Sequence, residues 1–316
     1  MKIAVVGTGQ WGKNHVRTLA ELRNANELDD VVICDADGSK ARTLADEFDV
    51  GLETDVARVA ASDVDGVVIA TPSPTHYELA RRFMEAGIDV LVEKPLALNT
   101  KEAALLVERA QRQKRVLMVG HEFRFHPGIR HLKRMLDDES LGTPRCILAN
   151  RFDYRTPRTD MGVLYALAIH DVDLFCYLLD QPYPRQILAQ TIRPNNLQVE
   201  VHATVHASFE SGVAATAVES WITPAYGKTR ELVFVGEKAS ARVDFLRHDG
   251  IDIFDGTHKK TVSFSPQEPL KEELRHFLAC IQNRKTPVAD GEAGLRAVAM
   301  IEACLKSARD GRAVPL

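Results

Sequence analysis

The feature that most constrains this chain lies in its first dozen residues. Lys2-Ile3-Ala4-Val5-Val6 has the apolar character of a buried strand and runs straight into Gly7-Thr8-Gly9-Gln10-Trp11-Gly12. Val16, Leu19, Ala20 and Leu22 then recur at helical spacing. Each glycine has a mechanical reason. Gly7 makes the tight turn, Gly9 lets the backbone approach a pyrophosphate, and Gly12 lets helix and strand pack closely. Amides at the helix start, around Gln10 and Trp11, then face phosphate charge. Glycine-rich turns also simply end strands, so the motif alone is weak. Here a second strand, Val31-Val32-Ile33-Cys34, ends in Asp35, at about the spacing of the acid that binds an adenosine ribose. The combination implies a dinucleotide site. A carboxylate at Asp35 accepts from both ribose hydroxyls and repels a 2′-phosphate, which selects NAD over NADP. Asp37 adds to that repulsion, and Lys40 and Arg42 would offset it if they folded back.

The chain has 316 residues, 45% hydrophobic and 27% charged, enough for two domains with real cores. A formal net charge of -4 gives no reason to expect nucleic acid as a partner. No apolar run reaches membrane-spanning length, and the first apolar run breaks at Gly7, unlike a signal peptide. Cys34, Cys146, Cys176, Cys280 and Cys304 are scattered with no C-x-x-C pair, which reads as reduced thiols in the cytoplasm.

Strand and helix patterns alternate through the first third: a helix at 41–48, a strand at 66–70, a helix carrying Tyr77, Leu79, Ala80, Phe83 and Met84 and ending at Gly87, and a strand at 88–92. A helix at 100–114 and a further strand at 115–119 complete the series. In Thr71-Pro72-Ser73-Pro74-Thr75 two prolines forbid regular structure, and Thr75 is placed to cap the next helix. This is the pattern of a Rossmann-type, doubly wound parallel sheet, with ligands outside the carboxyl ends of the strands. The cofactor-binding candidates lie at those ends: Gly7, Gly9, Gln10, Trp11, Gly12, Asp35, Thr71, Pro72, His76, Glu93 and Lys94. After a helix at 128–136, strand-like runs predominate, interrupted by a helix near 163–179 and closed by two more. Turn signals such as Glu210-Ser211-Gly212, Asp249-Gly250 and Asp255-Gly256 fit antiparallel meanders. The expected fold class is α/β: a Rossmann domain over 1–121, then an α+β domain over 122–316 with a large open antiparallel sheet. The C-terminal helices are expected to pack back on the first domain.

The ordered set of the N-terminal G-x-G-x-x-G, Glu93-Lys94-Pro95 after the strand at 88–92 and His170-Asp171-Val172-Asp173 in a later helix resembles the glucose–fructose oxidoreductase / inositol dehydrogenase / MocA family. The resemblance covers essentially the whole chain. Trp11-Gly12-Lys13-Asn14-His15, the loop at 155–160 and Trp221-Ile222-Thr223-Pro224 look most like its nucleotide-sugar branch, particularly UDP-N-acetylglucosamine 3-dehydrogenases. The resemblance implies that Lys94 sits between nicotinamide and substrate and that His170 lies near the hydroxyl being oxidised. The residue types suit the chemistry. A histidine can take the O–H proton, and a lysine ammonium can stabilise an oxygen becoming alkoxide-like.

One position departs from the pattern: Ala166 stands where the family's acid–base pair has an aspartate, one turn before the histidine. Three readings stay open. Asp173 serves as the orienting acid, or Tyr165 or Lys94 takes a larger share of the proton transfer, or redox activity is lost. For the substrate, the segment 151–158 holds Arg151, Arg155 and Arg158, suited to diphosphate oxygens, and Tyr154, suited to stacking on a base. The same segment also reads as an ordinary loop whose arginines pair with Asp153 and Asp160. Arg124 matches a family segment bordering the active site. His121, Glu122 and His126 lack convincing ligand spacing, and no metal is expected. The resemblance further implies a homo-oligomer, dimer or tetramer, paired through the second domain's sheet. The substrate expected is a sugar or UDP-sugar, C3 of a UDP-N-acetylhexosamine first. A free polyol such as inositol, glycoside cleavage with NAD recycled, and a non-catalytic NAD-binding sugar sensor are the alternatives.

Overall fold

The computed structural model describes residues 1–316, and the chain divides into two compact units. The first comprises Met1–Glu122 and Leu270–Val298; the second comprises Phe123–Pro269 and Ala299–Leu316.

In the first unit the chain runs β1 (Lys2–Val6), α1 (Gln10–Asn24), β2 (Asp30–Cys34), α2 (Gly38–Phe48), β3 (Gly51–Glu53), α3 (Val56–Ala60), β4 (Gly66–Ile69), α4 (His76–Glu85), β5 (Asp89–Val92), α5 (Thr100–Gln113) and β6 (Leu117–Val119). The six strands are parallel, in the order β3-β2-β1-β4-β5-β6. This is the doubly wound order, with its switch point between β1 and β4, where sequence neighbours leave in opposite directions. Ile3 to Val6 and Val67 to Ile69 are almost wholly buried, as a sheet covered on both faces requires. β3 escapes the sequence reading because Gly51-Leu52-Glu53 is too short for a periodic signal. The C-terminal part of this unit closes the sheet's far edge. Val119 donates to the Ala289 carbonyl at 2.8 Å, and a side chain at Gly66 would strike Ile281 and Phe277.

The second unit adds α6 (Pro127–Asp137), β7 (Pro144–Phe152), a π-helical turn (Leu164–Ala168) that continues into α7 (Ile169–Leu179), and then β8 (Gln186–Ile192), β9 (His202–Ser208) and β10 (Ala214–Ser220). β11 (Thr229–Gly236), β12 (Ser240–Asp244), β13 (Gly250–Asp255) and β14 (His258–Ser263) follow. Two helices, α8 (Pro269–Asn283) and α9 (Gly291–Asp310), and a short β15 (Val314–Pro315) end the chain. The nine strands run β14-β13-β12-β11-β7-β10-β9-β8-β15. The sheet is large and mostly antiparallel, as expected, with one parallel pair, β7 and β10. The cause is the chain between them, long enough to carry α7 and the β8–β9 hairpin and so to make a crossover. α7 packs on β7 and β10, where Ala149, Ala215 and Ala217 are buried and their small side chains let the helix approach.

Candidate active site

In the first unit the carboxyl end of β1 makes the expected turn. Gly7 has φ +98°, a conformation that side chains rarely adopt, and a Cβ there would lie 2.7 Å from the Ala70 carbonyl oxygen. A Cβ on Gly12 would lie 1.9 Å from the Gly7 carbonyl oxygen, so helix and turn touch only because both are glycine. At Gly9 a Cβ would meet nothing within 4 Å, which leaves open space on the side a phosphate approaches. The helix starts support the same point. Asp37, Asp55 and Asn99 accept amides at the starts of α2, α3 and α5, whereas α1 starts at Gly9 with no side-chain cap and no acid in its first turn. Its amides are left for an anion. Trp11 is partly exposed beside them.

Asp35 stands half-buried at the end of β2. Its Oδ2 accepts from the Thr8 amide (2.6 Å) and hydroxyl (2.7 Å), and its Oδ1 from the Asp37 amide (2.9 Å). Burial opposes its charge, but these donors hold the carboxyl below the usual aspartate range. Oδ1 keeps a lone pair for a ribose hydroxyl, and the carboxylate is fixed in place to offer it. These residues fit NAD: the open α1 start for its diphosphate, Asp35 for its adenosine ribose.

The remaining first-unit candidates form one hydrogen-bonded assembly. His76, buried at the start of α4, places Nδ1 2.7 Å from the Pro95 carbonyl and Nε2 2.9 Å from the Thr71 carbonyl. It thus ties the Thr71-Pro72 loop to the turn that carries Lys94. Thr75 does not cap α4: its hydroxyl turns back to the Pro72 carbonyl (2.8 Å) and the Thr71 hydroxyl (2.6 Å). The diproline loop offers a nearer acceptor than the helix offers donors. Glu93 is buried and takes the His15 Nε2 at 2.8 Å, so α1 is linked directly to the residue before Lys94. Burial resists its ionisation, yet the hydrogen bond from His15 and the charges of His15, Lys94 and His76 bring the carboxyl below the usual range. Gly120 is small because Glu93 packs on it: a Cβ there would meet Glu93 at 3.1–3.3 Å. Lys94 itself is half-buried.

In the second unit, His170 lies in the first turn of α7, buried, its ring edge-to-face with Phe123 at 4.8 Å and 85°. The π turn before it is anchored by Glu200, whose Oε1 accepts the Leu164 amide at 3.1 Å and whose carboxyl would overlap any side chain at Gly162. Such turns recur at functional sites. Ala166 lies within this turn and presents only a methyl group. Asp173, one turn after His170 on the same helix, takes the fork of Arg124, Nε at 2.8 Å and Nη2 at 2.5 Å. Arg124, expected at the substrate border, is buried in that pair and stacked over Tyr177 at 4.8 Å. The two guanidinium nitrogens match the two carboxylate oxygens. Tyr165 lies in the same π turn. Burial, with the carboxylates of Glu302 and Glu200, pushes its hydroxyl up, so it remains a donor at neutral pH.

The substrate loop is divided. Arg151 belongs to β7, is fully buried and pairs with Asp171, so it cannot grip a diphosphate from the loop. Arg158 pairs with Asp160 at 2.6 Å, and Arg155 lies over Trp221 at 5.5 Å. Tyr154 is 68% exposed and bridges to Ile222, and the exposed Tyr226 ring packs on Phe152 at 4.9 Å. Sequence reasoning missed Glu219 and Glu273, buried carboxyls that look like ordinary surface acids in β10 and α8. No His/Cys/Asp/Glu group is arranged to hold a metal ion, and no helix is long and apolar enough to cross a membrane.

A nucleotide-binding doubly wound unit followed by a mixed-sheet unit with a helix histidine defines a class, and the comparisons identify it. Residues 1–121 match the GFO_IDH_MocA oxidoreductase family's NAD-binding Rossmann fold, and residues 133–316 its C-terminal alpha/beta domain. The chain belongs to this family and is an NAD-dependent oxidoreductase acting on CH–OH groups. It is 30% identical to UDP-N-acetylglucosamine 3-dehydrogenase of Acidithiobacillus ferrooxidans, over 95% of this chain and 94% of that protein. It is 29% identical to D-apiose dehydrogenase of Paraburkholderia graminis, over 100% and 89%. Inositol 2-dehydrogenase 3 of Saccharopolyspora erythraea is 28% identical, over 100% and 95%. Among solved structures, UDP-N-acetylglucosamine 3-dehydrogenase GnnA of Acidithiobacillus ferrooxidans superposes with a TM-score of 0.87 at 28% identity, covering 98% of each chain.

Proposed function

We propose that the chain oxidises a ring hydroxyl of a sugar, best supported as C3 of a UDP-linked N-acetylhexosamine. The carrying observation is the 30% identity to a UDP-N-acetylglucosamine 3-dehydrogenase over nearly the full length of both chains. The exposed Tyr154 ring, with Arg155 and Arg158 in the same loop, supports it as a place for a base and a diphosphate. NAD, when bound, supplies the hydride acceptor. The chain's own residues do the rest. His170 accepts the hydroxyl proton, and the Lys94 ammonium hydrogen-bonds the oxygen as negative charge develops on it. Gly9, the open start of α1 and Asp35 hold the cofactor, and His76 and Glu93 fix the turn that carries Lys94.

The test is reduced-nicotinamide absorbance with NAD and a panel of UDP-N-acetylglucosamine, its uronic acid, UDP-galactosamine derivatives, glucose and inositol, after clearing any bound NADH. A rise with UDP-sugars only, lost in Lys94→Ala, is expected. A rise with free polyols moves the function to the inositol type, a reading favoured by the Arg158–Asp160 pair, which leaves that arginine already neutralised. Tight NAD binding with no rise at all favours the sensor, the reading Ala166 supports. We also place the protein in the cytoplasm, supported by five cysteines outside any disulfide. We assign it a homo-oligomeric state, dimer or tetramer, supported by exposed Leu148, Leu188 and Ile192 on the second unit's sheet. Light scattering on the purified protein decides the latter.

A further inference from the structure

One helical turn before His170 stands the Ala166 methyl group, which cannot orient the imidazole by a hydrogen bond. The His170 ring meets Phe123 edge-to-face. Phe123 in turn lies under a cation: the Arg151 guanidinium carbon is 4.3 Å from its centroid and 4.6 Å from that of Phe245. The two phenylalanine rings touch each other at 4.8 Å. Arg151 cannot swing away, because Nε and Nη2 donate to the two oxygens of Asp171 at 2.6 and 2.9 Å. Asp171 is the residue after His170. The contacts therefore close a ring, from His170 to Phe123, to Arg151, to Asp171, and back to His170 through one peptide bond. All four are buried, Arg151 and Asp171 almost completely.

Glu219 on β10 completes the charge arrangement. Its carboxyl is wholly buried, and burial, then the nearby Asp171 carboxylate, push it well above the usual range. Arg151 and Arg230 offset this only in part.

We propose that Arg151 and Phe123 are positioning residues: the Arg151–Asp171 ion pair, acting through the Phe123 ring, holds the His170 imidazole in its working orientation where residue 166 offers no hydrogen bond. An ion pair on a rigid aromatic face suits this function, since guanidinium stacking is directional and its charge does not titrate. The proposal rests on the reading of His170 as the proton acceptor.

Two measurements test it. The first uses protein carrying 13C-labelled histidine, with the His170 ring signal assigned by its loss in His170→Asn. The Phe123 ring current displaces this signal in the wild type. Arg151→Met and Phe123→Leu should both move it toward the position of a mobile histidine, while Phe123→Tyr, which keeps the ring, should leave it displaced. The second is turnover: in both disruptive variants kcat should fall about a hundredfold with NAD affinity within about twofold, and Phe123→Tyr should recover most of kcat. If Arg151→Met does not fold, Phe123→Leu carries the test, because it keeps the ion pair. A His170 signal unmoved in Phe123→Leu, or a loss confined to melting temperature with kcat intact, overturns the proposal. A wild type silent on every sugar overturns the dehydrogenase reading instead, and the ring signal still decides this one.

Discussion

Each unit buries one carboxyl more than it has strong partners for, and the two units hold the partnered one with different side chains. In the first, Glu93 is held by His15, while Glu273 of α8 lies fully buried with neither oxygen hydrogen-bonded. In the second, Asp171 is held by Arg151, and Glu219 is the surplus group. Arginine stays charged at any working pH, and its fork fixes direction as well as charge. The second unit's pair is therefore held through both carboxylate oxygens, and the first unit's pair, directly before Lys94, rests on a single ring nitrogen.

Breaking the fixed pair should have the largest effect. Arg151→Met strands the Asp171 carboxylate in the core, and removing one partner of a buried pair costs about 3–5 kcal/mol. Thermal unfolding should show a fall of about 10 °C, taking the usual sensitivity of a unit this size. A loss under about 1 kcal/mol, the range of surface pairs, would mean that Asp171 is not buried in solution as it is here.

The surplus carboxyl of the first unit gives a smaller effect with a definite sign. Burial, then the charges of Glu93 and Glu122, raise Glu273 well above the usual range. The folded state then holds a proton that the unfolded chain releases. Glu273 costs nothing below the unfolded pKa, and stability drains away as pH rises above it. Glu273→Gln, neutral at every pH, should therefore stabilise at pH 8 and change nothing near pH 3, by about 1.4 kcal/mol for each pKa unit of elevation. Glu93 has the opposite sign. Its pKa is lowered, so its contribution is present above the unfolded value and is lost as pH falls through the folded one. Glu93→Gln should destabilise at neutral pH by about 1–3 kcal/mol and lose its effect in acid. Denaturant melts at the two pH values check both, and equal effects at both would refute the assignment of charge.

The same contrast explains what was legible in the sequence. The phosphate turn follows from local backbone demands: Gly7 needs its positive φ, Gly12 its missing Cβ, and both sit in a contiguous motif. Asp35 is readable because it ends a strand at a fixed distance from that turn. The second unit's fittings join residues far apart in the chain, Arg124 to Asp173 and Arg151 to Asp171, and no spacing rule connects them. Arg151 looks like a loop arginine because β7 ends one residue later, and alternation along β7 puts its side chain inward. Glu219 and Glu273 carry no signal at all, since a buried acid and a surface acid are written alike.

Asp35 extends the contrast to the cofactor side, where a carboxylate is held by amides and a hydroxyl and by no cation. Asp35→Asn keeps an acceptor for ribose but removes the charge, and NAD affinity should fall about tenfold, which is about 1.4 kcal/mol. The preference against NADP should weaken at the same time, because its 2′-phosphate no longer meets a carboxylate. Fluorescence titration with both cofactors reads the two changes in one experiment.

The smallest effect is expected at Tyr165, a bystander to both ion pairs. It lies in the π turn leading to His170, where burial and the Glu302 and Glu200 carboxylates hold its hydroxyl in the protonated form. A group that does not ionise near neutrality cannot accept the substrate proton there, so its hydroxyl contributes at most a donated hydrogen bond, about 1 kcal/mol. Tyr165→Phe should change kcat by less than about tenfold and leave the pH profile of kcat where it was, since no titrating group has been removed. A profile that loses a limb in Tyr165→Phe would make this tyrosine the proton acceptor and return His170 to a supporting part. An unchanged profile leaves the proton with His170, on the helix that Arg151 and Asp171 lock in place.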